Sequence, residues 1–383
     1  HVDNSRGYIA FTTSGEDNSV TVTGAGSTWT SAALLVVGQG SNGTLSVTAG
    51  AQVSSGGEIH IADFINSNSL AAVDGAGSTL SAVGDVYVGG DDNADGGTGE
   101  LRATNDGLVT IGGTLTNWSK GKVTLDGGTI TADAIDNTHG GEIDFQSGVL
   151  TIHTGIGIGS STPFPGSFSA SLDRHLVTTG TTTVEAATTL ALNGGSLTTN
   201  GLAVNGTFHF NSGVLELTGG TVTGLLQLVV PTNGTLRAAG TYDATTVAAG
   251  FGSRITATGA VTLGDASQTN GFYSNGAVDV ADQTVTLLDA NDAVFDSGAA
   301  VDLGDTGAGT MNAAGGLTLD FGGNIGGFGT IDTPDNPATP VTNNGNITGN
   351  SLAEPVTLTG YVQGVGTCDN CNITGTDSPG FSS

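Results

Sequence analysis

The chain repeats itself, and this repetition constrains its fold more than any other feature. The segment Gly24–Trp29 (GAGSTW) recurs almost unchanged as Gly75–Leu80 (GAGSTL). A shorter unit, reading apolar, polar, Gly, Gly, hydroxyl, apolar, occurs at Leu125–Ile130, Leu192–Leu197 and Leu217–Val222. Repeated units of this kind stack in one dimension, so a long chain need not divide into separate globular cores.

Apolar residues alternate with polar or small ones between these units, as in Leu190 and Leu192 or Phe208 and Phe210. Alternation over short runs bounded by Gly and Asn is typical of strands with one buried and one wet face. Strands of about 3 to 5 residues are too short for a stable flat sandwich. Stacked coils remove this difficulty, because each strand pairs with the coils above and below it. The sequence therefore predicts an all-β fold, a right-handed parallel β-helix with short irregular excursions.

Asn-Gly pairs at the predicted corners leave a second fold open. Corners need positive φ, which Gly and Asn tolerate. In isolation, however, a pair such as Asn42-Gly43 or Asn233-Gly234 predicts a β-hairpin. An antiparallel barrel or adhesin stalk is therefore the alternative to the parallel β-helix.

Prolines set the predicted domain boundary. The segment 333–340 (TPDNPATP) carries three prolines, and each lacks the backbone donor that a strand ladder needs. Residues 1–332 are therefore predicted to form one solenoid of repeated coils. Residues 341–383, which contain a CxxC pair, are expected to form a C-terminal appendage or the last few coils.

The charge balance excludes two classes of partner. Lys and Arg number only 7 against 35 Asp and Glu, which gives a formal net charge of -28. No basic stripe is available to neutralise phosphates, so nucleic acid is not a predicted partner. The same argument excludes adhesion to anionic membranes.

The expected location of the protein is outside the cell. The chain lacks any apolar run near the roughly 20 residues that span a bilayer, so no membrane insertion is predicted. It begins at His1 rather than Met, as in a secreted protein whose signal peptide has been removed. A trimmed chain begins in the same way, so the start of the sequence supports secretion without proving it.

One acidic segment is a candidate Ca²⁺ site. Asp91, Asn93 and Asp95 alternate and are followed by Gly, as at the start of an oxygen-rich calcium loop. The twelfth position of an EF-hand is Arg102 instead of Glu, so we expect a looser loop on a β scaffold to which Glu100 contributes. The alternative is a mobile acidic loop that binds no metal. A weaker form of the same pattern is found at Asp289, Asn291 and Asp292.

The two cysteines, Cys368 and Cys371, lie close together near the end of the chain. A zinc site requires two further soft ligands, and no second pair is present. A redox CxxC pair uses a helix N-terminus to lower a thiol pKa, and nothing nearby has a helical pattern. We therefore expect a disulfide in an oxidising compartment.

Polysaccharide cleavage is the enzymatic alternative, because many parallel β-helices are pectin lyases or hydrolases. A lyase needs an Arg or Lys base near its Ca²⁺, and a hydrolase needs paired carboxylates. The five arginines are scattered, and none adjoins an acidic motif at coil spacing. The six histidines, among them His60, His139 and His209, are isolated and are expected on the surface of coils. The chain is therefore predicted not to be an enzyme.

A family resemblance adds to this reading. The segments Gly24–Val53 and Gly75–Val109, with the motifs GAGSTW, VVG, GTLSV and GAQV, resemble the repeat of bacterial autotransporter passengers and of PEP-CTERM-associated secreted proteins. Phe210–Leu215 is similar to passenger coils, and Gly375–Ser382 resembles the region before the anchor of such proteins. The resemblance implies an extracellular parallel β-helix whose repetitive coils are not catalytic.

Two functional classes follow from these observations. The first is a structural subunit of a fibre, sheath or surface layer that assembles head to tail with copies of itself, because a β-helix leaves an unpaired edge at each end. The strand-like run Gly7–Phe11 near the N-terminus and the absence of any amphipathic cap favour this class. The alternative is an adhesin-like passenger that binds glycans or cells, and a polysaccharide lyase or hydrolase is less favoured.

Overall fold

The computed structural model describes residues 1–12, 17–160, 162–265 and 271–378. Within these ranges the regular secondary structure consists of β-strands. None of the described residues belongs to a helix long and apolar enough to cross a membrane. The chain divides into two compact units, His1–Leu190 and Ala191–Ser383.

The strands of the first unit are short and closely spaced along the chain. They are β1 (Val2–Ile9), β2 (Asn18–Thr23), β3 (Thr28–Val37), β4 (Gly43–Thr48), β5 (Gln52–Ser55), β6 (Ile59–Ile61), β7 (Asn68–Asp74), β8 (Thr79–Ala82), β9 (Val86–Val88), β10 (Thr98–Thr104), β11 (Leu108–Asn117), β12 (Gly121–Asp126), β13 (Gly128–Asp136), β14 (Glu142–Phe145), β15 (Gly148–Ile152), β16 (Ile156–Ile158), β17 (Phe168–Ser171), β18 (Arg174–Thr178) and β19 (Thr181–Val184). Strands β2, β4, β7, β10, β12 and β14 form a separate six-stranded parallel sheet, in which β2 is an edge strand.

The strands that follow range from three residues to the 16 of β24. They are β20 (Thr189–Thr199), which begins in the last residues of the first unit, β21 (Gly201–Val204), β22 (Thr207–Leu217), β23 (Thr221–Val230), β24 (Gly234–Ala249), β25 (Arg254–Gly264), β26 (Phe272–Ser274), β27 (Ala277–Asp279), β28 (Thr284–Leu288), β29 (Ala293–Phe295), β30 (Ala300–Asp302), β31 (Gly309–Ala313), β32 (Leu317–Leu319), β33 (Asn324–Gly327), β34 (Gly329–Asp332), β35 (Val341–Asn343), β36 (Asn346–Gly349), β37 (Val356–Thr359), β38 (Val362–Gly364), β39 (Thr367–Asp369) and β40 (Cys371–Ile373).

The core of the first unit consists of columns of apolar side chains, one from each coil. Trp29, Val53, Leu80, Val109 and Ile130 are successive register partners in parallel strands, and all five are buried. Burying such a side chain stabilises the fold by roughly 1.5–3 kcal/mol. The predicted all-β parallel solenoid is therefore confirmed, and the alternation in the sequence corresponds to the inward and outward faces of each strand.

The second unit is built in the same way. Val285, Met311, Ile331 and Leu358 are register partners in consecutive coils and are buried. All the strand pairs that carry these columns are parallel, so the antiparallel barrel or hairpin stalk is wrong.

The Asn233-Gly234 pair makes a corner between parallel strands instead of a hairpin. Asn233 adopts a positive φ of 62°, and Gly234 then begins β24. Strand β24 pairs in parallel with β22, so the chain has turned a corner without reversing onto its neighbour. Asn tolerates this left-handed conformation better than most residues, which explains its place before the strand.

The proline-rich segment 333–340 is a connection within the second unit. Strand β35 follows it and pairs in parallel with β32, which precedes it. The strands after residue 341 are thus further coils stacked on earlier ones. Only part of the tail Gly375–Ser382 is described, and there Asp377 aligns with Val362 in one more parallel bridge, whereas residues 379–383 lie outside the described ranges.

One core position of the second unit carries a polar atom. Tyr242 stands in a column between Val222 and Leu263 and is fully buried. Its hydroxyl has no hydrogen-bond partner among the residues that the structure describes. Burial, with a smaller effect from Glu216, raises the pKa of this hydroxyl far above its ordinary value, so it stays neutral.

We expect Tyr242→Phe to stabilise the second unit, because a buried polar group without a partner costs about 1–3 kcal/mol. The measurement is the unfolding midpoint in scanning calorimetry. Tyr273→Phe is the matched control, since the Tyr273 hydroxyl is half-exposed and donates to Asp296, and its removal brings no gain. A lower midpoint for Tyr242→Phe would show that the hydroxyl is satisfied in solution.

Candidate functional site

The segment predicted to bind Ca²⁺ forms the loop between β9 and β10. The carboxylate of Asp91 accepts hydrogen bonds from the backbone N–H groups of Asn93, at 2.8 Å, and Ala94, at 2.9 Å. The carbonyl of Asp91 accepts a bond of 3.0 Å from the indole N–H of Trp118, one coil further on. Asp91 therefore shapes the loop and ties it to its neighbour.

The other predicted ligands also have protein donors. Asp95 accepts from the backbone N–H and the hydroxyl of Ser119, at 3.3 and 3.1 Å. Glu100 lies in β10, where its carboxylate accepts from the guanidinium of Arg102, at 2.9–3.0 Å, and from Thr124, at 2.9 Å. In the described part of the chain, no three His, Cys, Asp or Glu side chains are arranged to hold a metal ion. Ca²⁺ binding by this loop stays a prediction.

We expect Ca²⁺, if the loop binds it, to raise the melting temperature, because a ligand of the native state stabilises it by mass action. The measurement compares melting in millimolar Ca²⁺ with melting in a chelator, for the native chain and for Asp91→Asn. The chelator effect should disappear in the variant. Identical melting curves of the native chain with and without Ca²⁺ would show that this loop binds no Ca²⁺.

In the weaker acidic pattern, Asp289–Asp292, the carboxylate of Asp289 is buried. The carboxylate of Asp289 accepts from the backbone N–H groups of Gly271 at 2.7 Å, Phe272 at 3.2 Å and Asn291 at 3.1 Å. Asp292 accepts from the hydroxyl of Thr318 in the next coil, at 2.8 Å. The Asp289 carboxylate thus satisfies backbone donors at a corner, which is a structural task.

Cys368 and Cys371 are joined in a disulfide, with their Cα atoms 5.8 Å apart. Cys368 is buried and is the register partner of Ile347, so its sulfur takes the place of an aliphatic group in a core column. The bond closes the corner between β39 and β40. It lies in the last complete coil that the structure describes.

His60 is the feature that sequence reasoning missed, since the histidines were expected to be isolated on the surface. His60 is only 7% exposed. Its Nε2 lies 3.1 Å from Oε2 of Glu58, and its Nδ1 lies 3.3 Å from Oδ1 of the buried Asp63. Burial alone lowers the pKa of His60, but the hydrogen bonds to Asp63 and Glu58 outweigh it and raise the pKa above its ordinary value.

A tyrosine completes this cluster from the next coil. Tyr87 is the register partner of His60, and the two rings meet edge to face with centroids 5.1 Å apart. The Tyr87 hydroxyl donates to Asp85 at 3.1 Å, and Asp85 also accepts from the backbone N–H of Thr114 at 2.6 Å. Burial and the charge of Asp85 raise the pKa of Tyr87, so its hydroxyl is a neutral donor and not a base.

We expect this cluster to make the first unit less stable as the pH rises. A histidine whose pKa is raised in the folded state contributes stability below its unfolded pKa of about 6.5, and this stability is lost as the pH rises through the folded value. The charged groups that face His60 are Glu58 and Asp63. Asp85 and Asp92 act on the neighbouring Tyr87 hydroxyl.

The measurement is the melting temperature of the first unit from pH 5.5 upward through the folded pKa, for the native chain and for His60→Gln. Over this pH interval the melting temperature of the native chain should fall further than that of the variant. His209→Gln is the control, because His209 is exposed. Equal pH dependence in the native chain and His60→Gln would contradict the assignment.

Within the described residues, the first coil of the first unit keeps part of its apolar core accessible to solvent. Val2 is 54% exposed although it is the register partner of Trp29, which is 8% exposed. Val20 and Val22 in the edge strand β2 are half-buried, whereas the residues they pair with in β4 are fully buried. These side chains and Tyr8 line a cavity of about 440 Å³ that is open to solvent.

The last described coil differs from the first. Ile373 is half-exposed, although its register partner Leu358 is fully buried. Asp377 aligns with Val362, so an exposed carboxylate stands at the end of an apolar column. The sequence contains no Lys or Arg after Arg254, which leaves this end acidic.

Comparison with known proteins gives no relative. No protein family matches the chain, and neither does any curated protein or any solved structure. The function therefore has to be argued from the geometry of the coils and their ends.

Proposed function

We propose that the protein is a non-catalytic extracellular structural protein whose copies associate end to end into a fibre, sheath or surface layer. The observation that supports this function is the uncovered first coil, in which Val2, Val20 and Val22 occupy core positions but remain accessible. An exposed strand edge beside apolar side chains is a template for pairing with another chain.

A second copy is the occupant that suits this end. The coils stack through parallel strands, so a coil of another copy supplies both backbone partners for β2 and apolar side chains for the cavity. Buried apolar surface gives roughly 25 cal/mol per Å², which favours covering these side chains. A partner with only polar side chains could pair with the backbone of β2, but it would not bury the apolar side chains of the cavity.

The charges of the two ends favour head-to-tail order. The first coil carries the exposed cation Arg6 beside His1, which pairs with Asp3, whereas the exposed charged side chains of the last coil, Asp369 and Asp377, are acids. Contact between two different ends does not close on itself, so repeated contacts give a filament. The resemblance to autotransporter passengers and PEP-CTERM-associated proteins, and the low cation content, support a place outside the cell.

The experiment introduces a charge on either face of the edge strand β2. Val20→Asp places it among the core positions of the open end, while Ser19→Asp places the same charge on the exposed face of the same strand, outside the cavity. We expect the native chain and Ser19→Asp to form oligomers that lengthen with concentration. Val20→Asp should weaken association at least about tenfold, or about 1.4 kcal/mol.

Sedimentation velocity and negative-stain microscopy measure the assembly, and circular dichroism verifies that both variants remain folded. A native chain that stays monomeric at every concentration contradicts the proposal. So does a folded Val20→Asp variant that assembles as well as the native chain.

A further inference from the structure

The six-stranded sheet of the first unit has an outward surface with an unusual set of side chains, called here the outer face. One row across it consists of Thr44, Leu70, Glu100, Lys122 and Glu142, which are register partners in successive strands. None of the five is buried. The row therefore presents hydroxyl, aliphatic, acidic and basic groups side by side to solvent.

A second row runs beside the first, two residues further along each strand. It consists of Ser46, Ala72, Arg102, Thr124 and Asp144. The strands of one sheet lie about 4.8 Å apart, so six strands give the outer face a length of about 24 Å. Two of the 7 Lys and Arg residues of the chain, Arg102 and Lys122, stand on this one surface.

Two adjoining grooves follow the outer face. The first, of about 400 Å³, is lined by Thr44 and Leu70 among others, and the second, of about 340 Å³, by Arg102 and other residues of β10, β12 and β14. Glu100 and Lys122 line both grooves. Thr44 and Leu70 have shorter side chains than Glu100 and Lys122 beside them, which explains the depression over the earlier strands.

The charged groups of the outer face are held in place by one another. The ammonium of Lys122 lies 2.9 Å from Oε1 of Glu142 and 3.2 Å from Oδ2 of Asp144. The Arg102 guanidinium donates to Glu100 at 2.9–3.0 Å. Each cation is thus neutralised by a carboxylate, and the face has no excess of positive charge for a polyanion.

The rim of the first groove adds fixed amide groups. The side-chain N–H of Asn42 donates to Asp17 at 2.7 Å, and its carbonyl accepts from the backbone N–H of Asn68 at 2.7 Å. Thr98 lines the same groove. Amide, hydroxyl, ammonium and carboxylate groups in fixed positions suit a ligand that carries both donors and acceptors along its length.

We propose that the outer face binds an extended, uncharged oligosaccharide. Its hydroxyl groups both donate and accept, as the paired groups along the grooves require, and the C–H faces of its rings contact Leu70 and the methyl of Thr44. An acidic glycan meets repulsion from the many carboxylates, and an apolar ligand removes the polar groups from water without offering them hydrogen bonds. This binding site is separate from the open end and does not depend on end-to-end assembly.

The test uses defined oligosaccharides and the whole chain. The probes are cellohexaose, xylohexaose, maltohexaose and chitohexaose, with hexagalacturonate as the acidic comparison, titrated by calorimetry. We expect at least one neutral probe to bind and hexagalacturonate to bind more weakly. Lys122→Ala should weaken the neutral probe about tenfold, which corresponds to about 1.4 kcal/mol.

Lys120→Ala is the matched control, because Lys120 donates to the carbonyl of Gly96 at a corner and lines neither groove. It should leave binding unchanged. Leu70→Asn, with Leu108→Asn on a different sheet as its control, tests the apolar contact without altering any ion pair. Melting curves verify that each variant is folded.

Three results overturn the proposal: no neutral probe binds, hexagalacturonate binds best, or the groove variants bind as well as their controls. Assembly is measured independently, since Val20→Asp lies at the open end and should retain full oligosaccharide binding. A failure of this binding site and a failure of end-to-end association are therefore distinguishable.

Discussion

Parallel backbone pairing between successive coils is the interaction on which everything else in each unit depends. A strand such as β6 or β9 has only three residues and no stability of its own. Pairing on both edges satisfies its backbone groups, and the same register places one apolar side chain from each coil above the last. The column of Trp29, Val53 and Leu80 is the direct consequence of that register.

The corners cannot use this ladder, and polar side chains take its place there. The Asp91 carboxylate accepts from two backbone N–H groups of its own loop, the Asp95 carboxylate accepts from Ser119 of the next coil, and Asp289 satisfies three backbone donors at once. The buried Asn117 likewise donates from its amide to Asn137, at 2.9 Å. The high content of Asp and Asn is thus partly a requirement of the fold, and an acidic loop is weak evidence for a metal.

The sequence was sufficient for the fold because inward positions repeat with period two in strands such as β4 and β10. Leu190 and Leu192, predicted from this alternation, are fully buried, whereas Phe208 and Phe210 are half-buried. A pair such as Asn233-Gly234 misled when taken alone, because positive φ is needed equally by a hairpin and by a corner between parallel strands. The choice between a hairpin and a corner depends on which strand the following strand pairs with. That partner is distant in the sequence, so the Asn-Gly pair alone does not reveal it.

His60 shows a second limit of the same reasoning. Alternation places it outward between the buried Ile59 and Ile61, and an outward residue is expected to be exposed. Neighbouring side chains cover it instead, since the Tyr87 ring meets the His60 ring edge to face and Glu58 and Asp63 lie against its two nitrogens. The acidic residues on either side, Glu58 and Asp63, were the one available signal.

Both proposals for this molecule concern positions where the repeat of buried coils changes, namely the first and last described coils and the polar outer face. Inside a unit each coil covers the next, so Leu45 and Val47 are fully buried, while Val20 and Val22 are only half-buried by the residues that the structure describes. In the last described coil Asp377 aligns with Val362, so a carboxylate stands at the end of an apolar column. The first and last described coils therefore differ in charge and in apolar exposure, and the proposed head-to-tail order depends on that difference.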